Sequence, residues 1–281
     1  EVEYRLDYLI HTYAKPILCW GHGIVMGGGI GLMSGASHRV VSERSRVAFP
    51  EITVGLFPDV GGSWLLAHVP DHAGLFLALT GARLGPGDAI HAHLADHLLP
   101  ETARGAVFDA MEQAAWRGEP PADRTTLSVL LHAHEQKPEP GPLQRHRDAI
   151  AAACAHAQLD DVVAAIAALP ADDPWIAAAQ ATLAAGAPGS ARLGFELQHR
   201  AAALTLADTF RMEMVASLHC AAHGDFAEGI RALLIDKDRN PHWHPATLAE
   251  ATPDWAEGFL ASPWPAGTHP LADLGAPTSA P

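Results

Sequence analysis

Apolar and aromatic residues at positions 4, 6, 8, 9, 10 and 13 recur with a spacing that leans helical, and the pattern stops ahead of Lys15-Pro16. An amphipathic helix is therefore expected over residues 4–13. Residues 17–20 form a short apolar run between Pro16 and Gly21, as a buried strand would, and His22-Gly23 turns the chain out of it. Gly27-Gly28-Gly29 then leads into small and apolar residues at 30–36, which predicts a helix packed closely on that strand. Residues 39–41 and 47–49 read as further strands around the polar turn Ser42-Glu43-Arg44, and Pro50-Glu51 opens a loop that closes on Pro58-Asp59-Val60-Gly61-Gly62. Short helices are expected at 63–67 and 73–79.

Between 100 and 189 alanine dominates, and stretches such as 160–169 have helical spacing, which predicts a lid or a packing insert. Residues 193–220 carry one long helical pattern and 226–234 a second. After Pro263 the chain is rich in Pro, Gly, Ala and Thr, the composition of a flexible tail. No internal repeat is evident.

A length of 281 residues and an apolar fraction of 48% suffice for a real core. Eighteen Lys and Arg against 32 Asp and Glu, a formal charge of -14, argue against nucleic acid or an anionic membrane as partner. Cys19, Cys154 and Cys220 are widely spaced and odd in number, so neither a disulfide framework nor a zinc knuckle is suggested, and a reducing cytoplasm is the expected location. No membrane-length apolar run and no signal-peptide pattern are found; the opening without Met, directly into a helix, is consistent with an upstream segment.

A glycine triplet between strand and helix leaves backbone N–H groups at a helix N-terminus, where they favour a phosphate or an oxyanion. The run Met26-Gly27-Gly28-Gly29-Ile30-Gly31 fits the dinucleotide pattern GxGxxG poorly, and taken alone it would be read as close packing through glycine.

The stretch from Lys15 to Gly29, Lys-Pro-Ile-Leu-Cys-Trp-Gly-His-Gly-Ile-Val-Met-Gly-Gly-Gly, followed by Phe49-Pro50-Glu51 and Gly55-Leu56-Phe57-Pro58-Asp59-Val60-Gly61-Gly62, resembles the centre of the crotonase, or enoyl-CoA hydratase/isomerase, superfamily. The likeness runs on through Leu79-Thr80-Gly81-Ala82-Arg83-Leu84 and covers residues 1 to about 100. It implies an α/β fold, a spiral of ββα units with a helical C-terminal region, in which further units ahead of residue 1 carry the first oxyanion amide and much of the coenzyme A pocket. The expected division is a partial core at 1–120, an Ala-rich helical insert at 121–188, a helical region at 189–262 and the flexible tail at 263–281.

The resemblance places the second oxyanion amide at Gly28. Of the two glutamates that hydratases of the family use, one falls on Gly31 and the other on Glu51, so one of the two carboxylates needed to share a water is missing. Glu51 with Asp59, eight residues on, instead resembles the 3-hydroxyisobutyryl-CoA hydrolase branch, as does the segment from Asp225 to Pro245, which has Ile235-Asp236-Lys237-Asp238 where ordinary hydratases have a basic Glu-Lys-Arg turn. Its implied chemistry is cleavage of a short 3-hydroxyacyl-CoA thioester, with Gly28, Glu51 and Asp59 catalytic and Glu3 a further substrate contact. Coenzyme A would be part of the substrate, and no separate cofactor is expected; superfamily members commonly form homo-oligomers. A 3,2-enoyl-CoA isomerase, which also needs a single carboxylate, and a non-catalytic acyl-CoA-binding subunit are the alternatives.

Eighteen histidines include the pairs His91/His93, His132/His134 and His242/His244, but i, i+2 spacing points neighbours apart on a helix, and no metal is expected. Met212 and Met214 read as ordinary helix residues.

Overall fold

In the computed structural model, which describes residues 1–276, the first hundred residues wind through short parallel strands. Strand β1 (Leu18–Gly21) is followed by β2 (Ile24–Val25), β3 (His38–Val41) by β4 (Arg46–Val47), and β5 (His97–Leu98) comes last. One sheet has the order β1-β3-β5, with Leu18 opposite His38 and Val40 opposite His97. The other pairs β2 with β4, Ile24 opposite Arg46. The first two passes of the chain thus add one strand to each sheet, and β5 extends only the first. This is the ββα spiral that the resemblance implies, repeated in backbone although no repeat is visible in the residues. Val40 and Val41 are fully buried, as strands of a parallel sheet covered on both faces must be.

Helices α1 (Val2–Thr12), α2 (Gly28–Ser34), α3 (Gly62–Ala67), α4 (Ala73–Thr80) and α5 (Pro86–His91) surround the strands. All eight residues of α4 are buried, so it is a central core helix rather than an amphipathic cover. Its approach to α3 is close enough that a side chain at Gly74 would strike the Leu66 backbone.

Beyond β5 come α6 (Arg104–Gln113), α7 (Pro120–His132), α8 (Pro142–Arg145), α9 (Arg147–Cys154), α10 (Leu159–Ala167), α11 (Pro174–Ala185), α12 (Pro188–Ala201), α13 (Leu206–His223), α14 (Phe226–Ile230) and α15 (Pro253–Leu260). Ile150, Leu159, Val162, Ile166 and Ile176 join Phe76 and Leu77 in one apolar cluster. The Ala-rich segment is therefore packed into the main core and is not a lid.

Four features depart from the sequence reading. The strand expected at 47–49 pairs only at Arg46–Val47. The strand β5 went unread, being two residues long. The pattern over 193–220 breaks into α12 and α13, because Thr205 accepts the Asp208 N–H at 3.1 Å and starts a new helix. The expected flexible tail is held down as far as residue 276: Leu271 is fully buried against Tyr4 and Phe210, Arg5 pairs with Asp273 at 2.8 Å, and Arg211 donates to the Leu274 carbonyl at 2.6 Å. Its last part, 277–281, lies outside the described residues. Among the described residues no helix is long and apolar enough to cross a membrane.

Candidate active site

Met26 and Gly27 separate β2 from α2, and Gly27, at φ 54°, ψ -132°, makes the bend. Gly28 follows as the first helical residue, and it is exposed. Its N–H has no carbonyl one turn back to bond, so it is free to meet an outside acceptor.

The acids of α1 lie directly over this helix. A methyl group built on Gly28 would sit 2.9 Å from Glu3 Oε1, and one built on Gly31 would sit 2.9 Å from Asp7 Oδ1. Glycine at both places makes room for carboxyl groups from the neighbouring helix.

Glu51 opens a single 3₁₀ turn, Glu51–Val54, that Gly55 ends in the left-handed conformation at φ 71°. Its side chain is 6% exposed, and Oε2 has no hydrogen-bond partner. Burial, with Asp59 adding, pushes its pKa up to about 8.

Asp59 Oδ2 accepts the Tyr4 hydroxyl at 2.9 Å, and Tyr4 Oη lies 2.8 Å from Ser217 Oγ. A phenol has one proton; with that proton given to Asp59, Ser217 must be the donor to Tyr4. Burial lifts Asp59 to about 6, the Tyr4 bond pulls against the shift, and Glu3 adds to it. Burial also raises the Tyr4 hydroxyl well above the ordinary phenol range.

After Asp59 the chain passes through Val60 at φ 54° and Gly61 at φ 83°. A β-branched residue in the left-handed region is strained, and the surroundings must enforce it. Glu213, fully buried on α13, does so by accepting the Gly61 N–H at 2.7 Å and the Ser63 N–H at 2.8 Å. Burial raises Glu213 to about 8, Asp59 adds to this, and the two amides act in the opposite sense.

The structure thus brings Glu3, Gly28, Glu51 and Asp59 to neighbouring elements. It adds three residues that the sequence reading missed, namely Tyr4, Asp7 and Glu213. Tyr4 and Asp7 belong to a helix already recognised, but a single aromatic and a single acid on it carry no distinguishing signal. Glu213 lies 150 residues from the amide it binds, and in sequence it is one acid on a long helix.

Among the described residues one group has the makings of a cation site: His97, His132 and Glu135, with Glu135 accepting from His97 Nδ1 at 3.0 Å and lying 3.3 Å from His132 Nε2. It is built on β5 and the end of α7, elements that carry none of the acids above.

Residues 1–260 match the enoyl-CoA hydratase/isomerase family as a whole. The chain is 34% identical over 265 residues to the mitochondrial 3-hydroxyisobutyryl-CoA hydrolase of Xenopus tropicalis, covering 92% of this chain and 67% of that protein. It is 33% identical to the human protein of the same name, covering 89% and 64%. The chain therefore spans about two thirds of the length of such relatives. A solved structure titled an enoyl-CoA hydratase, from Rhodobacter sphaeroides, superposes with a TM-score of 0.81 at 34% identity, over 92% of this chain and 72% of that one. Another, titled a carnitinyl-CoA dehydratase, from Mycobacterium thermoresistibile, does so with a TM-score of 0.81 at 36% identity and the same coverage. With its spiral, its Gly28 amide and its buried Glu51, the chain belongs to the enoyl-CoA hydratase/isomerase, or crotonase, family, in the branch of acyl-CoA thioester hydrolases.

Proposed function

We propose that the substrate is a short 3-hydroxyacyl-CoA, specifically 3-hydroxyisobutyryl-CoA, and that the products are the free hydroxy acid and coenzyme A. The observation that carries this reading is Glu51, a buried carboxyl with one oxygen unpartnered, standing without a second carboxylate on α2, where position 31 is glycine. Hydration of a double bond calls for two poised acids; cleavage of a thioester needs one, with an amide to take the carbonyl oxygen. The names of the relatives support the same substrate.

In this reading the thioester oxygen lies on the Gly28 N–H, whose bond strengthens as the carbonyl becomes a tetrahedral oxyanion. Ionised Glu51 drives the reaction in one of two ways. It can take a proton from water as the water oxygen bonds to the carbonyl carbon, or attack that carbon itself to give a mixed anhydride that water then opens. Either way the C–S bond breaks, and the sulfur leaves with a proton as the thiol of coenzyme A. Glu3 and Asp59 hold the substrate's hydroxyl or the water.

The test is release of free thiol from 3-hydroxyisobutyryl-CoA. Glu51→Gln should lower kcat by about 10²–10⁴-fold and Asp59→Asn by a smaller factor. Because the working form of Glu51 is ionised and its pKa stands at about 8, kcat of the unaltered enzyme should climb as pH rises through that value. Absence of thiol release from the unaltered enzyme would remove the hydrolase reading of this site, and full activity in Glu51→Gln would remove Glu51 from it. Single turnover in ¹⁸O-labelled water with label found on Glu51 would mark an anhydride opened at its glutamyl carbonyl, since direct attack of water on the thioester places the label only in the product acid.

A further inference from the structure

Asp7 is a site acid to which the reaction above gives no task. It stands one helical turn beyond Glu3 on α1, so the two carboxyls lie along one face and meet α2 together, Glu3 over Gly28 and Asp7 over Gly31. The side chain is 1% exposed, and its Oδ2 has no hydrogen-bond partner. A buried polar atom left unsatisfied costs stability, and it is retained where something else satisfies it part of the time.

No cation comes to its aid. Arg5, on the same helix, is engaged by Glu1, Asp273 and the Pro270 carbonyl. His11, further along, sits 3.1 Å from Ser34 and is kept neutral by burial, its pKa lowered to about 4. Helix α2 contributes no charged residue. The loop before α3 contributes Asp59, α1 itself contributes Glu3, and α13 brings Glu213 and Ser217 to the same end of α1. An ionised Asp7 would be one more negative charge among acids. A neutral Asp7 has an O–H to donate and, among the described residues, nothing on Oδ2 to receive it.

We infer that Asp7 is a specificity-determining residue of the active site, acting as a neutral carboxylic acid that donates a hydrogen bond to the 3-hydroxyl of the bound acyl group beside Glu3 and Asp59. This rests on the proposed substrate and adds to it a donor that recognises the hydroxyl. Burial, with Glu3 and Asp59 adding, lifts the Asp7 pKa to about 7, so the donor is present below neutrality and withdrawn above it.

The test is binding rather than turnover. Affinities of 3-hydroxyisobutyryl-CoA and of isobutyryl-CoA, which lacks the hydroxyl, are measured by calorimetry on the full chain carrying Glu51→Gln, at pH 6 and pH 8, with Asp7 intact, Asp7→Asn or Asp7→Ala. With Asp7 intact, preference for the hydroxylated ligand should be about tenfold at pH 6 and shrink at pH 8. Asp7→Asn, which keeps a donor at every pH, should hold the preference at both. Asp7→Ala should lose it at both. A preference that survives Asp7→Ala, or a pH trend that survives Asp7→Asn, would overturn the inference. Hydroxyl preference with the stated Asp7 dependence, alongside no thiol release from the unaltered enzyme, would keep Asp7 as the reader of the hydroxyl and reject the hydrolase chemistry, so the two failures are distinguishable.

Discussion

Two clusters of acids in this chain behave in opposite ways. Around Arg231, Glu228 accepts two guanidinium hydrogen bonds at 2.8 Å, and Asp236 and Asp238 each accept one at 2.7 Å. Arg231 holds Glu228 at about 2, below the usual carboxylate range, and lowers Asp238 as well. Around Gly28, by contrast, Glu51, Asp59, Asp7 and Glu213 are all raised, and none has a cation against it. One residue type serves as structural glue where an arginine and water share it, and as a proton-holding group where both are kept away. The lesson is that burial away from any cation, more than residue type, decides which acids hold a proton.

The largest test of that contrast is Glu213→Ala. It orphans the buried amides of Gly61 and Ser63 at once and should cost about 2–5 kcal/mol in urea unfolding, with thiol release falling more than stability alone explains because Val60 is no longer held in its left-handed turn. Normal activity in a well-folded variant would show that the turn before α3 does not depend on α13.

A smaller effect is expected at the contact between α1 and α2. Gly31→Ala drives a methyl into the buried Asp7 carboxyl and should destabilise by about 1 kcal/mol. In an Asp7→Ala background the same change should stabilise by about 0.5–1 kcal/mol, the usual gain of alanine over glycine within a helix. The reversal of sign, read from a double-mutant cycle, is the diagnostic; equal effects in both backgrounds would mean the carboxyl does not occupy that space.

The smallest effect belongs to the other cluster. Arg231→Gln should lower the thermal midpoint by about 1–3 °C at low salt and by less at high salt, since Asp236 and Asp238 are exposed and Glu228 is half-buried within reach of solvent. A large, salt-independent loss would mean that the turn is buried in some larger assembly.

How much of this was legible beforehand follows from the reach of each signal. Helix α1, strand β1, the glycine bend and α4 were readable because their periodicity or their turn residues are local. Glu51, Asp59, Gly28 and Glu3 were singled out through the resemblance alone. The division at Thr205 was hidden because apolar spacing continues across it while the break depends on one hydroxyl capping one amide. The anchored tail was hidden too, as its composition is that of a loop and its order comes from Arg5 and Arg211, far away in the chain. Asp7 drew no attention in the sequence, being one acid on an amphipathic helix; only the fold shows that it is covered.

The span of the site has a consequence for the order in which the protein is made. Asp59 is fixed from one side by Tyr4 and its turn from the other by Glu213, so its surroundings are complete only once α13 has been synthesised and has docked. Strands and α2 can pair as they emerge from the ribosome, whereas the strained turn at Val60 has to wait some 150 residues for the carboxyl that holds it. A nascent chain stalled before α13 would lack the carboxyl that accepts the Gly61 and Ser63 amides, and the turn at Val60 would be without that support.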